Sequence, residues 1–315
     1  MLPGGQNGRL LILFYHRVLP ERDPLMPDVM WAKAFDNQMA ALSQVFHVLP
    51  LEEAVEKLGA GTLPERAVSV TFDDGYRDNF HVALPILKRH GLHATFFLTT
   101  GFMSGDLMFN DIATESIRRF PAGAVDLTFI GQGVLGIGNA EARAKLVLNV
   151  VQALKYLPLD ARAEACARLS RIATEPLPTD LMMDADDVRS LVAAGMSVGG
   201  HTVDHPILAR ISNDECYAQI KQNRDVLASL IGYVPRTFAY PNGKPSVDYR
   251  AEHVDMVRRA GYSIALSTAF GAATSSCDPF QLPRVCPWGF GRVPHVLPLL
   301  RTTIHAIRVA APKRV

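Results

Sequence analysis

Short apolar runs rich in β-branched and aromatic residues alternate along this chain with longer stretches of helical period. That alternation is the pattern of βα units around a parallel sheet, and it constrains the fold more than any other feature. About seven runs stand out, over residues 10–15, 67–72, 94–98, 196–199, 237–240, 263–267 and, less regularly, 280–285. Seven units favour a closed barrel over an open sheet, so the expected class is α/β with a distorted (β/α)7-type barrel. Helix ends are marked by Asp184 before an apolar-periodic stretch that stops at Gly195, and by Ser212 with Glu215 three residues on.

The rhythm breaks between residues 101 and 180. There a strand is expected near 126–130, then a glycine-rich turn, then helices near 139–157 and 160–173. With no linker composition at its edges, the stretch is expected to be a mainly helical insertion within a single domain covering residues 1–315.

Composition excludes several partner classes. Thirty-two basic and 31 acidic residues leave a formal charge of +1, so no global field draws the chain to nucleic acid or an anionic membrane. The four cysteines, Cys166, Cys216, Cys277 and Cys286, form no CxxC pair and are expected to be inert thiols. The apolar run after Arg9 is short and ends in His16-Arg17, which favours a buried strand over a leader. No apolar stretch approaches the roughly 18 residues of a membrane-spanning helix, and the expected location is cytoplasmic.

Chemistry-bearing residues cluster at the ends of these runs. Thr71-Phe72-Asp73-Asp74-Gly75-Tyr76 places two carboxylates after a strand, where barrel enzymes build their sites. Standing alone, such a segment is more often a turn with a capping aspartate. His201-Thr202-Val203-Asp204-His205-Pro206 sets two imidazoles four residues apart after another strand, with Pro206 disfavouring helix at His205. Together the two segments offer one carboxylate and two imidazoles, an incomplete ligand set of the catalytic kind, and leave the other carboxylate free as a general base. Arg236-Thr237-Phe238-Ala239-Tyr240-Pro241-Asn242-Gly243 reads as a strand running into a tight turn. Its arginine is placed to pair with an acidic group and the Tyr240 N–H to meet an oxyanion, unless it is only a strand and its turn.

In order, these three segments resemble the first three motifs of the polysaccharide deacetylases, carbohydrate esterase family 4, also called the NodB-homology fold. The resemblance spans roughly residues 10–285. It implies Asp73 as the general base, Asp74, His201 and His205 as ligands of one divalent ion, Arg236 as the residue orienting Asp73, the Tyr240 backbone N–H as oxyanion donor and Pro241 as the residue shaping that turn. The ion it implies is zinc, with cobalt, iron, nickel or manganese as alternatives. The implied reaction is removal of an acetyl group from the amino group of an N-acetylated sugar in a glycan or glycan precursor. Hydrolysis of another amide, such as a formamido sugar or a cyclic ureide, and carbohydrate binding without turnover are the alternatives. Oligomeric state stays open.

The chain departs from the family pattern late on. No Leu-x-His follows Tyr262, His295 and His305 sit in other contexts, and no Asp-Trp pair is found. Leu282-Pro283-Arg284 occupies that region, which makes Arg284 a candidate for lining the site and binding substrate. A closed barrel sets its first and last strands side by side, so His16, ending the first run, is the candidate general acid. An imidazole suits that role near neutral pH. Gly131-Gln132-Gly133-Val134-Leu135-Gly136 matches GxGxxG, but no acidic residue follows about 20 positions on, and a glycine-rich turn is the expected reading.

Overall fold

The structure is a computed structural model describing residues 2–287. His295 and His305 lie outside the described residues. The described chain divides into two compact units, one formed by residues 2–20, 30–104 and 183–287, the other by 21–29 and 105–182.

The first unit is built on an eight-stranded parallel sheet whose main path runs through β1 (Leu11–Tyr15), β2 (Ala67–Phe72), β3 (Ala94–Leu98), β4 (Ser197–Gly200), β5 (Thr237–Ala239), β6 (Ile264–Phe270) and β7 (Leu282–Arg284), with the short strand His47–Val48 pairing on β2 off that path. The strands of the path neighbour one another in chain order. Closure comes just past β7, where Phe14 N–H donates to the Val285 carbonyl at 3.1 Å and Val285 N–H to the Ile12 carbonyl at 2.8 Å. The result is a nearly closed barrel whose first and last strands are adjacent.

Both faces of these strands are covered, which is why they read as near-continuous apolar runs. Leu11, Leu13 and Tyr15 of β1 belong to a core shared with helices such as Ala32–Val45 and Ala185–Ala193. Leu10 and Ile12, the alternate positions, join Phe97, Ala239, Leu266 and Leu282 in a second cluster. Tyr15, Phe72 and Phe96 sit in register across three strands, with ring centroids 5.3 and 4.7 Å apart. Deleting a buried aromatic from such a stack costs about 3–5 kcal/mol, so the base of the strand end carrying Asp73 is firmly held.

Helix Ala185–Ala193 begins on Asp184, whose side chain accepts from the N–H groups of Asp186 and Asp187, both at 2.9 Å. Ser212 caps helix Asn213–Ile231 by accepting from Glu215 N–H, and Gly232, left-handed at φ 79°, ends it.

The second unit is mainly helical, with Phe109–Arg118, Ala140–Lys155 and Leu159–Ile172 around their own apolar core. The GxGxxG stretch forms the turn and second strand of an antiparallel hairpin, Gly123–Asp126 with Val134–Ile137. Gly131 and Gly133 adopt φ of 73° and 72° there, which explains the glycines without a nucleotide. The strand expected at 126–130 therefore lies slightly earlier, and Thr128–Ile130 is a 3₁₀ turn. Among the described residues, no helix is long and apolar enough to cross a membrane.

Candidate active site

Asp73 and Asp74 follow β2 directly. Asp73 N–H continues the ladder to the Tyr15 carbonyl at 2.8 Å, and the chain then turns through Asp74 at φ 76° and Gly75 at φ 93°. A left-handed aspartate is uncommon and costs of order 1–3 kcal/mol, so the surroundings must hold it. They do: Thr99 donates to the Asp74 carbonyl through both its hydroxyl, at 2.7 Å, and its N–H, at 3.3 Å. A side chain at Gly75 would meet the Leu98 Cδ2 at 3.2 Å in a backbone conformation L residues avoid.

This turn sends the two carboxylates to different partners. Asp74 Oδ1 lies 3.4 Å from the Nε2 atoms of both His201 and His205. It is buried and has no hydrogen-bond partner. His201 follows β4, and its Nδ1 is 2.7 Å from the Ala239 carbonyl, so Nδ1 carries the proton and the Nε2 lone pair faces Asp74. The ligand atoms of Asp74, His201 and His205 all lie within 4.8 Å of one another. A buried carboxylate oxygen left without a donor between two imidazole nitrogens is what a divalent cation satisfies, so these residues fit the implied ion.

Charge within the cluster has the same layout. Burial would raise the Asp74 pKa, but His201, His205 and His16 outweigh it and hold the carboxyl well below its usual range. Burial pushes His205 down to about 4, so its imidazole is neutral near neutral pH. For His201 burial is outweighed by Asp74 and Asp73, and its pKa is raised.

Asp73 is gripped by Arg284. The guanidinium donates from Nη1 to Oδ1 at 2.7 Å and from Nη2 to Oδ2 at 2.8 Å. Its Nε donates to the Ser267 carbonyl at 3.0 Å, and the group lies over the Phe14 ring at 4.6 Å. Both partners are buried. Burial would raise the Asp73 pKa, yet Arg284 foremost, with His201 and His16, brings it below the ordinary value.

Three sequence expectations are corrected here. Arg236 does not orient Asp73: it precedes β5, at the end of the barrel opposite the carboxylates, and pairs with Glu52 and Glu56 at 3.3 and 3.6 Å, more than half exposed. Arg284 is not a substrate-lining residue, because it is 1% exposed and its guanidinium is turned to Asp73 and Ser267. The Tyr240 N–H is not free for an oxyanion, because it extends the sheet by donating to the Leu266 carbonyl at 3.1 Å, while its hydroxyl donates to the Phe280 carbonyl. Pro241 is buried, and its carbonyl accepts from Gly243 N–H at 2.7 Å in the turn.

His16 directly follows β1, and it is among the groups that lower the pKa values of Asp73, Asp74 and His205. Its ring meets Phe14 edge-on at 5.6 Å. The segment carrying it is fastened by residues that sequence reasoning missed. Asn79 Nδ2 donates to the His16 carbonyl at 2.8 Å, and the Asp78 carboxylate accepts from Val18 N–H at 3.0 Å and Arg17 Nε at 2.8 Å.

Comparison with known proteins gives a consistent family. A family model described as polysaccharide deacetylase matches residues 60–128 and 146–265. The putative polysaccharide deacetylase YxkH of Bacillus subtilis is 21% identical over 279 residues, covering 88% of this chain and 71% of YxkH. Among solved structures, the Streptococcus pyogenes deacetylase PplD in complex with acetate aligns with a TM-score of 0.64 at 20% identity, covering 94% of this chain and 99% of PplD. IcaB from Ammonifex degensii aligns at 0.56 and 19%, covering 96% and 98%. At these identities the structural likenesses speak for the fold.

Proposed function

Because this chain belongs to the polysaccharide deacetylase family, we propose that it is a divalent-metal-dependent hydrolase removing the acetyl group from the amino group of an N-acetylated sugar, in a glycan or glycan precursor. The observation that carries this reading is the buried, unpartnered Asp74 Oδ1 between two imidazoles, immediately beside an arginine-locked carboxylate. Asp74, His201 and His205 would hold the ion, with zinc the first candidate. Such an ion supplies Lewis acidity, making water more acidic and an amide carbonyl more electrophilic.

The chain's own groups do the proton chemistry. Asp73, kept ionised and immobile by Arg284, takes a proton from the attacking water. His16, fixed through its backbone by Asn79, gives a proton to the amine nitrogen as the C–N bond breaks, so acetate and a free amino sugar leave. The bidentate Arg284 fork acts through Asp73: it sets the carboxylate's direction and disfavours its protonation.

Acetate release from a panel of N-acetylated oligosaccharides, assayed with zinc-loaded and chelator-treated protein, tests this reading. Release that depends on the ion supports it. Release of formate from formamido sugars, with none of acetate, would replace it by the other amide chemistry.

A further inference from the structure

On helix Asn213–Ile231 the side-chain amides of Gln219 and Asn223 are four residues apart and therefore on one face. Asn223 is fully buried. Its Nδ2 donates to the carbonyls of Thr202 at 2.6 Å and Leu98 at 2.9 Å and to Thr100 Oγ1 at 3.2 Å, while its Oδ1 accepts from His201 N–H at 3.2 Å. Gln219 Oε1 accepts from the N–H groups of Val203 at 3.0 Å and Asp204 at 2.9 Å, and its Nε2 donates to Asp204 Oδ2 at 2.7 Å. Each residue from His201 to Asp204 is thus bonded to one of two amides.

The held segment is conformationally expensive. Thr202 and His205 adopt φ of 67° and 52°, a region each non-glycine residue enters at a cost of order 1–3 kcal/mol. Within the segment, His205 N–H is tied to Thr202 Oγ1 at 3.1 Å, so holding Thr202 also holds His205. On the other side the loop packs against Gly101, whose N–H donates to the Val203 carbonyl at 2.9 Å; a Cβ there would lie 2.4 Å from Asp204 Oδ1. Packing alone does not call for amides on this helix, because Ile220 and Leu227 already supply its apolar contacts. What an amide adds is a donor and an acceptor in one neutral group, the combination needed to hold a backbone by both its N–H and C=O.

We propose that Gln219 and Asn223 are positioning residues that set the metal affinity of the Asp74, His201 and His205 site. They fix the backbone of residues 201–204, which holds the left-handed turn at Thr202 and, through Thr202 Oγ1, the one at His205, and so turns both Nε2 atoms toward Asp74. The proposal rests on the reading of those three residues as ion-holding.

Titration of metal-free full-length protein with zinc against a fluorescent chelator, for wild type, Gln219→Ala and Asn223→Asp, tests it. Asn223→Asp keeps the shape but loses the three donated bonds. Each variant is expected to bind zinc about 10–100-fold more weakly than wild type, the range typical when a residue orienting a ligand is lost. A merely structural role would lower the unfolding temperature of the metal-free protein and leave Kd unchanged. If Asn223→Asp does not fold, Gln219→Ala at the partly exposed helix surface decides alone. Zinc affinity of Gln219→Ala within twofold of wild type overturns the positioning role while leaving the ion site intact. A wild-type protein that takes up no zinc overturns the ion site itself, and the proposal with it.

Discussion

In the barrel, Asp73, Asp74, His201 and Arg284 are each at most 6% exposed, whereas in the helical unit the arginines of the Asp23–Arg118 and Glu115–Arg119 pairs keep 32% and 20% of their side chains open to solvent. The arginine ends of these pairs are partly solvated, which screens the attraction and lowers what each pair contributes. Buried charges are costly to assemble and are tolerated only where partners are closely matched. Asp73 has such a partner in Arg284; Asp74 Oδ1 has none among hydrogen-bond donors. The barrel therefore places these four buried groups at one set of strand ends, which is where chemistry is expected, while the arginines of the helical unit's two pairs share their cost with water.

The largest effect should come from the base. Asp73→Asn is expected to lower turnover by about two to four orders of magnitude while retaining the metal. Steady-state kinetics with metal analysis checks this, and near wild-type turnover would remove Asp73 from the role. Next, Arg284→Met leaves a buried carboxylate unpaired and should cost about 3–5 kcal/mol in denaturant unfolding, along with a loss of turnover. Arg236→Ala should stay within about 0.5 kcal/mol, as an exposed substitution does. Equal effects of the two would erase the contrast between buried and exposed charge. His16→Ala should keep the metal and lose about a hundredfold in turnover, less on substrates with better leaving groups. A loss independent of the leaving group would assign His16 another task.

A more modest effect concerns a half-exposed carboxylate. Asp184→Ala should destabilise by about 1 kcal/mol through loss of the helix cap. The N–H donor of Asp187 foremost, with that of Asp186 and the charges of Arg77 and His81, lowers the Asp184 pKa against an opposing burial effect. The difference between wild type and variant is then fully present above the unfolded-state value of about 4 and fades as pH falls through the lower folded-state value. A difference that grows on acidification would reverse the sign and break the assignment.

Much of this was legible in the sequence because it is local. Runs such as residues 67–72 and 94–98 announce strands, and Asp73-Asp74 and His201 to His205 stand at strand ends, so the candidate ion site can be read from chain position. Closure of the barrel, inferred from the count of strands, already puts His16 next to the late strands. The partner of Asp73 was not legible, because Arg284 lies 211 residues away and its preceding segment, Leu282-Pro283, carries no motif that names its target. Arg236 was misleading for a geometric reason: it stands before a strand, and parallel strands deliver to the site only the residues at their C-terminal ends. Gln219 and Asn223 were silent as well, since an amide on a helix gives no sign of which loop it will hold.

The most direct test of the account is the zinc content of wild type, Asp73→Asn and His205→Ala after stripping and reloading. The account predicts about one equivalent per chain for wild type and Asp73→Asn, and none for His205→Ala. One equivalent retained by His205→Ala, or lost from Asp73→Asn, would contradict the division of labour between the two adjacent aspartates.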